Sequence, residues 1–174
     1  MTKQLILDLK PDELALKIQD TGQPKFRSIQ VLDGLYKHYY NSFERFPNLP
    51  KSLISVLDGE FILNPLSLVS SVISRDKKTE KFLFALQDGN RIETVLMRYA
   101  DRNTVCISSQ AGCPLGCVFC ATGQMGFNRN LSVGEVLGQV LYCMCHLKIE
   151  NEKLLNIVYM GMGEPFMNYT NVME

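Results

Sequence analysis

The sequence of 174 residues predicts a mixed α/β protein: a small helical domain over 1–64, an antiparallel β connector over 65–100, and over 101–174 the opening of a partial barrel in which helices cover parallel strands. Three patterns predict it. Apolar residues recur at three-and-four spacing in the first sixty positions, they alternate singly from Phe82 onward, and a strand–helix–strand succession occupies residues 104–160. At 46% hydrophobic, the chain can bury a core. Its 18 basic and 18 acidic residues balance, so any contact with nucleic acid has to be local.

The opening MTKQLILDLK has a short apolar run followed by charge, which is expected to be neither a secretory signal nor a membrane span. Residues 11–19 read as a first helix: Pro11 suits an opening position, Asp12 and Glu13 favour its positive end, Gly22 can terminate it, and Leu14 and Ile18 share its inner face. A second helix has Phe26, Ile29, Leu32, Leu35, Tyr36 and Tyr39 as its apolar stripe, with Lys25, Arg27 and Lys37 on the other surface. After Pro47-Asn48-Leu49-Pro50, residues 51–57 form a third short helix, ending near Asp58-Gly59. A compact module of this kind can grip a backbone phosphate.

From Leu66 the period changes. Phe82, Phe84 and Leu86 alternate with Leu83, Ala85 and Gln87, Asp88-Gly89 supplies a hairpin turn, and a second strand follows with Glu93, Val95 and Met97 on one face. Residues 104–109 form the first strand of the last domain. Val105 and Ile107 point one way, and Thr104, Cys106 and Ser108 the other; helices over the apolar side leave Cys106 facing the interior. Ser132 and Glu135 form a capping box that starts a helix with Val133, Val136, Leu137, Val140, Leu141 and Met144 on its packed face, Cys143 at the margin and Cys145 further round. A parallel strand at 154–160 ends in Gly161-Met162-Gly163-Glu164-Pro165, where glycines admit a ligand to the backbone and Glu164 offers acceptors to an ammonium group.

Between the first strand and the capping box lies Cys113-Pro114-Leu115-Gly116-Cys117-Val118-Phe119-Cys120, three thiols in a turn too rich in Gly and Pro for a helix or strand interior. Clustered spacing of this kind, among six cysteines in all, suits a metal centre in a reducing cytoplasm rather than a disulfide framework. A structural zinc needs a fourth ligand. His146 sits on the following helix, away from its stripe, and His38 far upstream. A four-iron cluster on three cysteines instead keeps one iron open for a small molecule.

Cys-x-x-x-Cys-x-aromatic-Cys resembles the signature of radical S-adenosylmethionine enzymes. With Phe26-Arg27, Tyr36-Lys37, Asn48-Leu49-Pro50-Lys51, Asp88-Gly89, Glu93-Thr94-Val95-Leu96, the run from Cys106 to Cys113, Gly126-Phe127-Asn128-Arg129-Asn130-Leu131 and Gly161-Met162-Gly163-Glu164-Pro165, the chain resembles the RlmN/Cfr group of radical S-adenosylmethionine RNA methyltransferases. The resemblance implies a [4Fe-4S] cluster on Cys113, Cys117 and Cys120, and S-adenosylmethionine with its adenine beside Phe119 and its methionyl part at Gly163 and Glu164. It implies methylation of adenosine carbon 2 in 23S rRNA and tRNA through a methylated cysteine, with Glu93 as proton acceptor and Cys106 as the cysteine that resolves the RNA adduct by forming a disulfide. A flavodoxin-like electron donor is implied as partner. The family carries its methylated cysteine in a later loop, which neither Cys143 nor Cys145 matches, so the chain is expected to be an amino-terminal half, inactive alone. A carbon-8 methyltransferase of the same group and a non-catalytic zinc or RNA-binding module are the alternative expectations.

Overall fold

The computed structural model describes residues 3–174; the reading of the opening decapeptide thus reaches onto Met1 and Thr2, which lie outside the described residues. Contacts divide the chain into two compact units, one ending at Pro65 and the other beginning at Leu66.

In the first unit a two-residue strand β1 (Gln4–Leu5) pairs in parallel with β2 (Phe61–Ile62), so the beginning and end of the unit close on each other. Helix α1 (Pro11–Asp20) starts where Glu13 accepts a hydrogen bond from the Lys10 amide and ends at Gly22, whose φ of +77° suits a residue without Cβ. It buries Leu14, Ala15 and Ile18. Helix α3 (Lys51–Glu60) runs through Gly59 and buries Leu53 and Leu57.

Helix α2 (Phe26–Tyr36) corrects the predicted stripe. Its buried face is Ser28, Val31, Gly34 and Leu35, whereas Phe26 and Ile29 are exposed and Tyr39 lies beyond the helix at a φ of +57°. Small residues face inward because Phe46 occupies the space: a Cβ on Gly34 would lie 2.1 Å from its ring. Arg27 also turns from the expected solvated surface, donating to the Asn48 carbonyl at 2.6 Å and to Gln30 at 2.8 Å. Gly34→Ala is therefore expected to destabilise by about 1–3 kcal/mol through overpacking, despite the roughly 0.5–1 kcal/mol that alanine gains in a helix interior. Gly59→Ala, with nothing near its added Cβ, should stabilise. Urea unfolding of both variants checks the opposite signs.

The second unit is built on a five-stranded sheet. Strands β3 (Ser67–Ile73), β4 (Thr79–Ala85), β5 (Arg91–Arg98) and β6 (Asn103–Cys106) form an antiparallel meander, and β9 (Leu154–Val158) lies parallel to β6. A tight turn, closed by the Tyr99 amide on the Arg102 carbonyl at 2.8 Å, joins β5 to β6. The expected connector and the first core strand are consequently one sheet.

Helix α5 (Val133–Ile149) crosses from β6 to β9 and covers one face of this sheet. Its capping box forms: the Glu135 amide donates to the Ser132 hydroxyl at 3.3 Å, and the Ser132 amide donates to the Glu135 carboxylate at 3.0 Å. The face it buries is rotated from the predicted one, running through Glu135, Val136, Gln139, Val140, Cys143 and Leu147; Val133, Leu137, Leu141 and Met144 are only partly buried. Two polar residues on that face are held by internal hydrogen bonds, which a purely apolar periodicity cannot register.

Cys143 is thus central rather than marginal, fully buried against Phe82, Phe84, Ile92 and Leu96, and burial pushes its thiol up to about 12. His146 does not point away from the packed side either. Its ring meets Phe82 edge-on at 5.6 Å and its Nε2 lies 3.2 Å from the Glu80 carboxylate. Among the described residues, no helix is long and apolar enough to cross a membrane.

Candidate active site

The two faces of the sheet are divided by strand parity. Ile92, Thr94, Leu96, Val105 and Ile107 are buried on the face packed by α5. Glu93, Val95 and Met97 of β5, with Thr104 and Cys106 of β6, have the opposite phase. Val95 is the register partner of Cys106 in β6 and of Lys81 in β4. Glu93, one pleat further along β5, is thereby a diagonal neighbour of both, at roughly 7 Å between Cα atoms in such an arrangement. The Lys81 ammonium donates to the Glu93 carboxylate at 2.8 Å, both side chains being about half exposed. Cys106 is 8% exposed, and burial raises its thiol above the usual range against a backbone hydrogen bond from Met160. The alternation in the sequence assigned Cys106 to this face; the pairing with Lys81 depends on cross-strand register and was not legible.

Beyond β6 the chain enters a second hairpin, β7 (Gln110–Gly112) against β8 (Phe127–Asn130), and the three cysteines lie at its tip. The neck is a backbone crossing: Gly112, at a φ of +78°, would place a Cβ 2.0 Å from the Gly126 carbonyl, and the Cys113 amide donates to that carbonyl at 3.0 Å. A four-residue helix, α4 (Ala121–Gln124), follows Cys120; its Gly123 passes close to the Cys117 backbone, where a Cβ would meet Cys117 N at 2.9 Å. Cys113, Cys117 and Cys120 are half-buried free thiols, and all six cysteines are unpaired. Amides of Gly123 and Thr122 lower the Cys120 thiol below its ordinary value. Among the described residues, no three Cys, His, Asp or Glu side chains converge to hold a single metal ion. Phe119 projects into solvent, 90% exposed.

The glycine loop after β9 docks on the base of this hairpin. The Gly161 amide donates to the Ile107 carbonyl at 3.1 Å, and the Ser109 and Gln110 amides donate to the Met162 carbonyl at 2.9 and 3.2 Å. Gly163, at a φ of +93°, has no room for a side chain because a Cβ would lie 2.5 Å from that of Gln110. The Glu164 amide donates to Gln110 Oε1 at 2.9 Å, and its carboxylate accepts from the Phe166 amide at 3.2 Å, capping a short 3₁₀ turn at Pro165–Asn168. Parallel pairing of β6 with β9 therefore brings the cysteine hairpin and Gly163-Glu164 to one end of the sheet, where sites on parallel strands collect.

Sequence reasoning missed the polar side chains that hold this end together. Gln139 of α5 accepts from the Ser108 amide and the Thr94 hydroxyl, each at 2.8 Å, and donates to the Ser108 carbonyl at 2.9 Å. Asn168 donates to the Ser109 and Leu131 carbonyls at 2.8 and 2.9 Å. Arg129 forks onto both oxygens of Glu135, at 2.7 and 2.8 Å, and reaches Asp88 in the β4–β5 turn. The signals were present as Ser108-Ser109-Gln110 at a strand end and a glutamine within an apolar helix face.

No family model matches the chain. A probable dual-specificity RNA methyltransferase RlmN from Thermosipho melanesiensis is 47% identical over 97% of the chain and 49% of its own length. Its Thermotoga maritima counterpart is 43% identical over 97% and 48%. A crystal structure of a radical SAM methyltransferase from Sphaerobacter thermophilus superposes with a TM-score of 0.95 at 42% identity, covering 98% of this chain and 50% of that one. The chain is similar to proteins named RlmN along nearly its whole length. It spans about half the length of the curated RlmN relatives it matches, and its mixed α/β fold matches half of that radical SAM methyltransferase structure.

Proposed function

We propose that the chain carries the cofactor-binding part of an RlmN-type RNA methyltransferase acting on carbon 2 of adenosine in 23S rRNA and tRNA. The observation that carries the reading is the meeting, at one end of the sheet, of the three-cysteine hairpin, the Gly163-Glu164 loop and the face bearing Glu93 and Cys106, in a chain 47% identical to an RlmN.

The donor set fits a [4Fe-4S] cluster better than one ion. Each thiolate of such a cluster takes a different iron, which suits three free sulfurs spread along a loop, and amide hydrogen bonds of the kind Cys120 receives stabilise thiolate ligands. Cys113, Cys117 and Cys120 would hold the cluster, Glu164 and the Gly163 backbone the methionyl part of S-adenosylmethionine, and Phe119 its adenine. Bound there, the pair supplies one-electron chemistry for activating a methyl group, fed by a flavodoxin-like donor in the cytoplasm. Adenine carbon 2 has no lone pair to attack a sulfonium, which is why such chemistry is needed.

The chain's own residues handle the later steps. Glu93 takes the proton from carbon 2, with Lys81 holding its carboxylate on the same face. The Cys106 thiolate then attacks the sulfur of the methyl-carrying cysteine, forming a disulfide as the carbon–sulfur bond breaks; the electron pair of that bond passes to the methylene carbon, which takes up a proton to become the methyl group as the RNA leaves. Cys143, sealed in the core, cannot be the methyl carrier, and Cys145 lies on the same crossover helix. The chain alone is accordingly proposed to be inactive on RNA, with the helical unit contributing RNA contacts.

Anaerobic reconstitution with iron and sulfide tests the reading. A brown chain with about four irons and an electron paramagnetic resonance signal that changes on adding S-adenosylmethionine is expected. A colourless protein holding one zinc, or a cluster blind to that molecule, would overturn it.

A further inference from the structure

We propose that Ser108 is a positioning residue: its hydroxyl locks the glycine loop after β9 to the strand bearing Glu93, so that a molecule held by the loop is registered against that carboxylate. The inference rests on the functional reading above for the identity of the bound molecule, and on geometry for the lock.

Ser108 is fully buried, and every polar group it has is used. Its hydroxyl donates to the Glu93 carbonyl at 2.6 Å and accepts from the Met162 amide at 2.9 Å. Its own amide and carbonyl are both taken by the side-chain amide of Gln139, at 2.8 and 2.9 Å. The β5–β6 register, with Val95 opposite Cys106, continues to place residue 108 opposite Glu93, but the ladder stops at Cys106. The serine hydroxyl takes the place of the next ladder bond and, unlike a backbone amide, also accepts, which lets one atom join β5 to the segment beyond β9.

The loop is shaped around this atom. A Cβ on Gly161 would lie 2.8 Å from Ser108 Oγ. Two positions after Met162, the Glu164 amide is held in the same manner by the buried Gln110 side chain, which is itself tied to Asn130 at 2.8 Å. The Met162 and Glu164 amides are thus pinned by Ser108, in the link between β6 and β7, and by Gln110, the first residue of β7 and of the cysteine hairpin. Proton removal by Glu93 and activation at the loop have to act on one substrate, and a misplacement of about 1 Å can cost on the order of a hundredfold in rate. A direct bond between loop and strand supplies that registration.

The test compares Ser108→Ala with Thr94→Val in the full chain. Thr94→Val removes another hydrogen bond of Gln139, at 2.8 Å, without touching the loop. The first readout is hydrogen exchange at the Met162 amide in the ligand-free chain, expected to speed up roughly 10- to 100-fold in Ser108→Ala, since the amide is left without its acceptor, and to stay near the parent rate in Thr94→Val. The second is the Kd for S-adenosylmethionine of the reconstituted chain, expected to rise about tenfold, or some 1.4 kcal/mol, in Ser108→Ala alone. Should Ser108→Ala not fold, Ser108→Cys keeps a weaker donor and acceptor in place and should shift both readouts in the same direction. Equal effects in the serine and threonine variants, or an unchanged Met162 amide, overturn the proposal. Unaltered affinity in Ser108→Ala beside normal binding by the parent overturns the positioning role and leaves the functional reading intact. A parent that binds no S-adenosylmethionine, with Met162 loosened in Ser108→Ala, upholds the lock and overturns that reading.

Discussion

Cys117→Ala is expected to abolish the brown colour and bound iron of the anaerobically reconstituted chain, whereas Cys145→Ala keeps both. Three thiolates are the minimum that holds a four-iron cluster with one iron open, so losing one leaves two protein bonds. His146 is engaged by Glu80 and Phe82, and Cys143 is sealed in the core. Cys117 packs against Gly123 through its backbone, so shortening its side chain spares the turn. Iron and sulfide analysis with the visible spectrum reads the result. An unchanged iron content in Cys117→Ala would remove the cluster assignment, and the mechanism with it.

Arg129→Met is expected to cost about 3 kcal/mol of unfolding free energy, the low end of the range for breaking a buried ion pair from one side. The Glu135 side chain is only 6% exposed, and without Arg129 it keeps a buried charge with just the helix N-terminus to offset it. Arg129 is one-third exposed, which places the loss at the lower end. The hydrogen bond from Arg129 also holds the Asp88 carboxyl well below the usual carboxylate range. A depressed folded-state value stabilises the fold above the unfolded value near about 4, and the contribution is lost as pH falls through the folded value. The gap between parent and variant should therefore be full at neutral pH and narrow in acid. Chemical denaturation at a series of pH values checks it, and a gap that widens in acid would contradict the assignment.

Local signals carried most of the architecture. Pro11 with Glu13, the Ser132–Glu135 box, the Asp88-Gly89 turn and the parity of Val105, Ile107 and Cys106 each act within a few residues and place their elements, although the strand expected over 104–109 ends at Cys106, beyond which Gln139 takes the Ser108 amide out of the ladder. Failures came where the deciding partner is remote. On α2 the inward face is set by Phe46, twelve positions after Gly34, and a glycine facing an aromatic ring leaves no trace in hydrophobic spacing. On α5, Glu135 and Gln139 face inward because Arg129, Thr94 and Ser108 await them, so an apolar template rotated the helix away from its polar contacts. The cysteine spacing and Gly-Met-Gly-Glu were readable as chemistry. The hydrogen bonds that bring them to one end of the sheet were not, because residues 54 apart in sequence, Ser108 and Met162, meet only in the folded sheet.

That separation also orders the assembly of the chain. Neighbouring strands from β3 to β6 are joined by short turns and can zip together early, while β9 has to return across the whole cysteine hairpin and α5 before it pairs. The thiols have their own local hairpin, but the loop over 161–164 follows β9 and is consequently expected to meet that hairpin only after the late pairing.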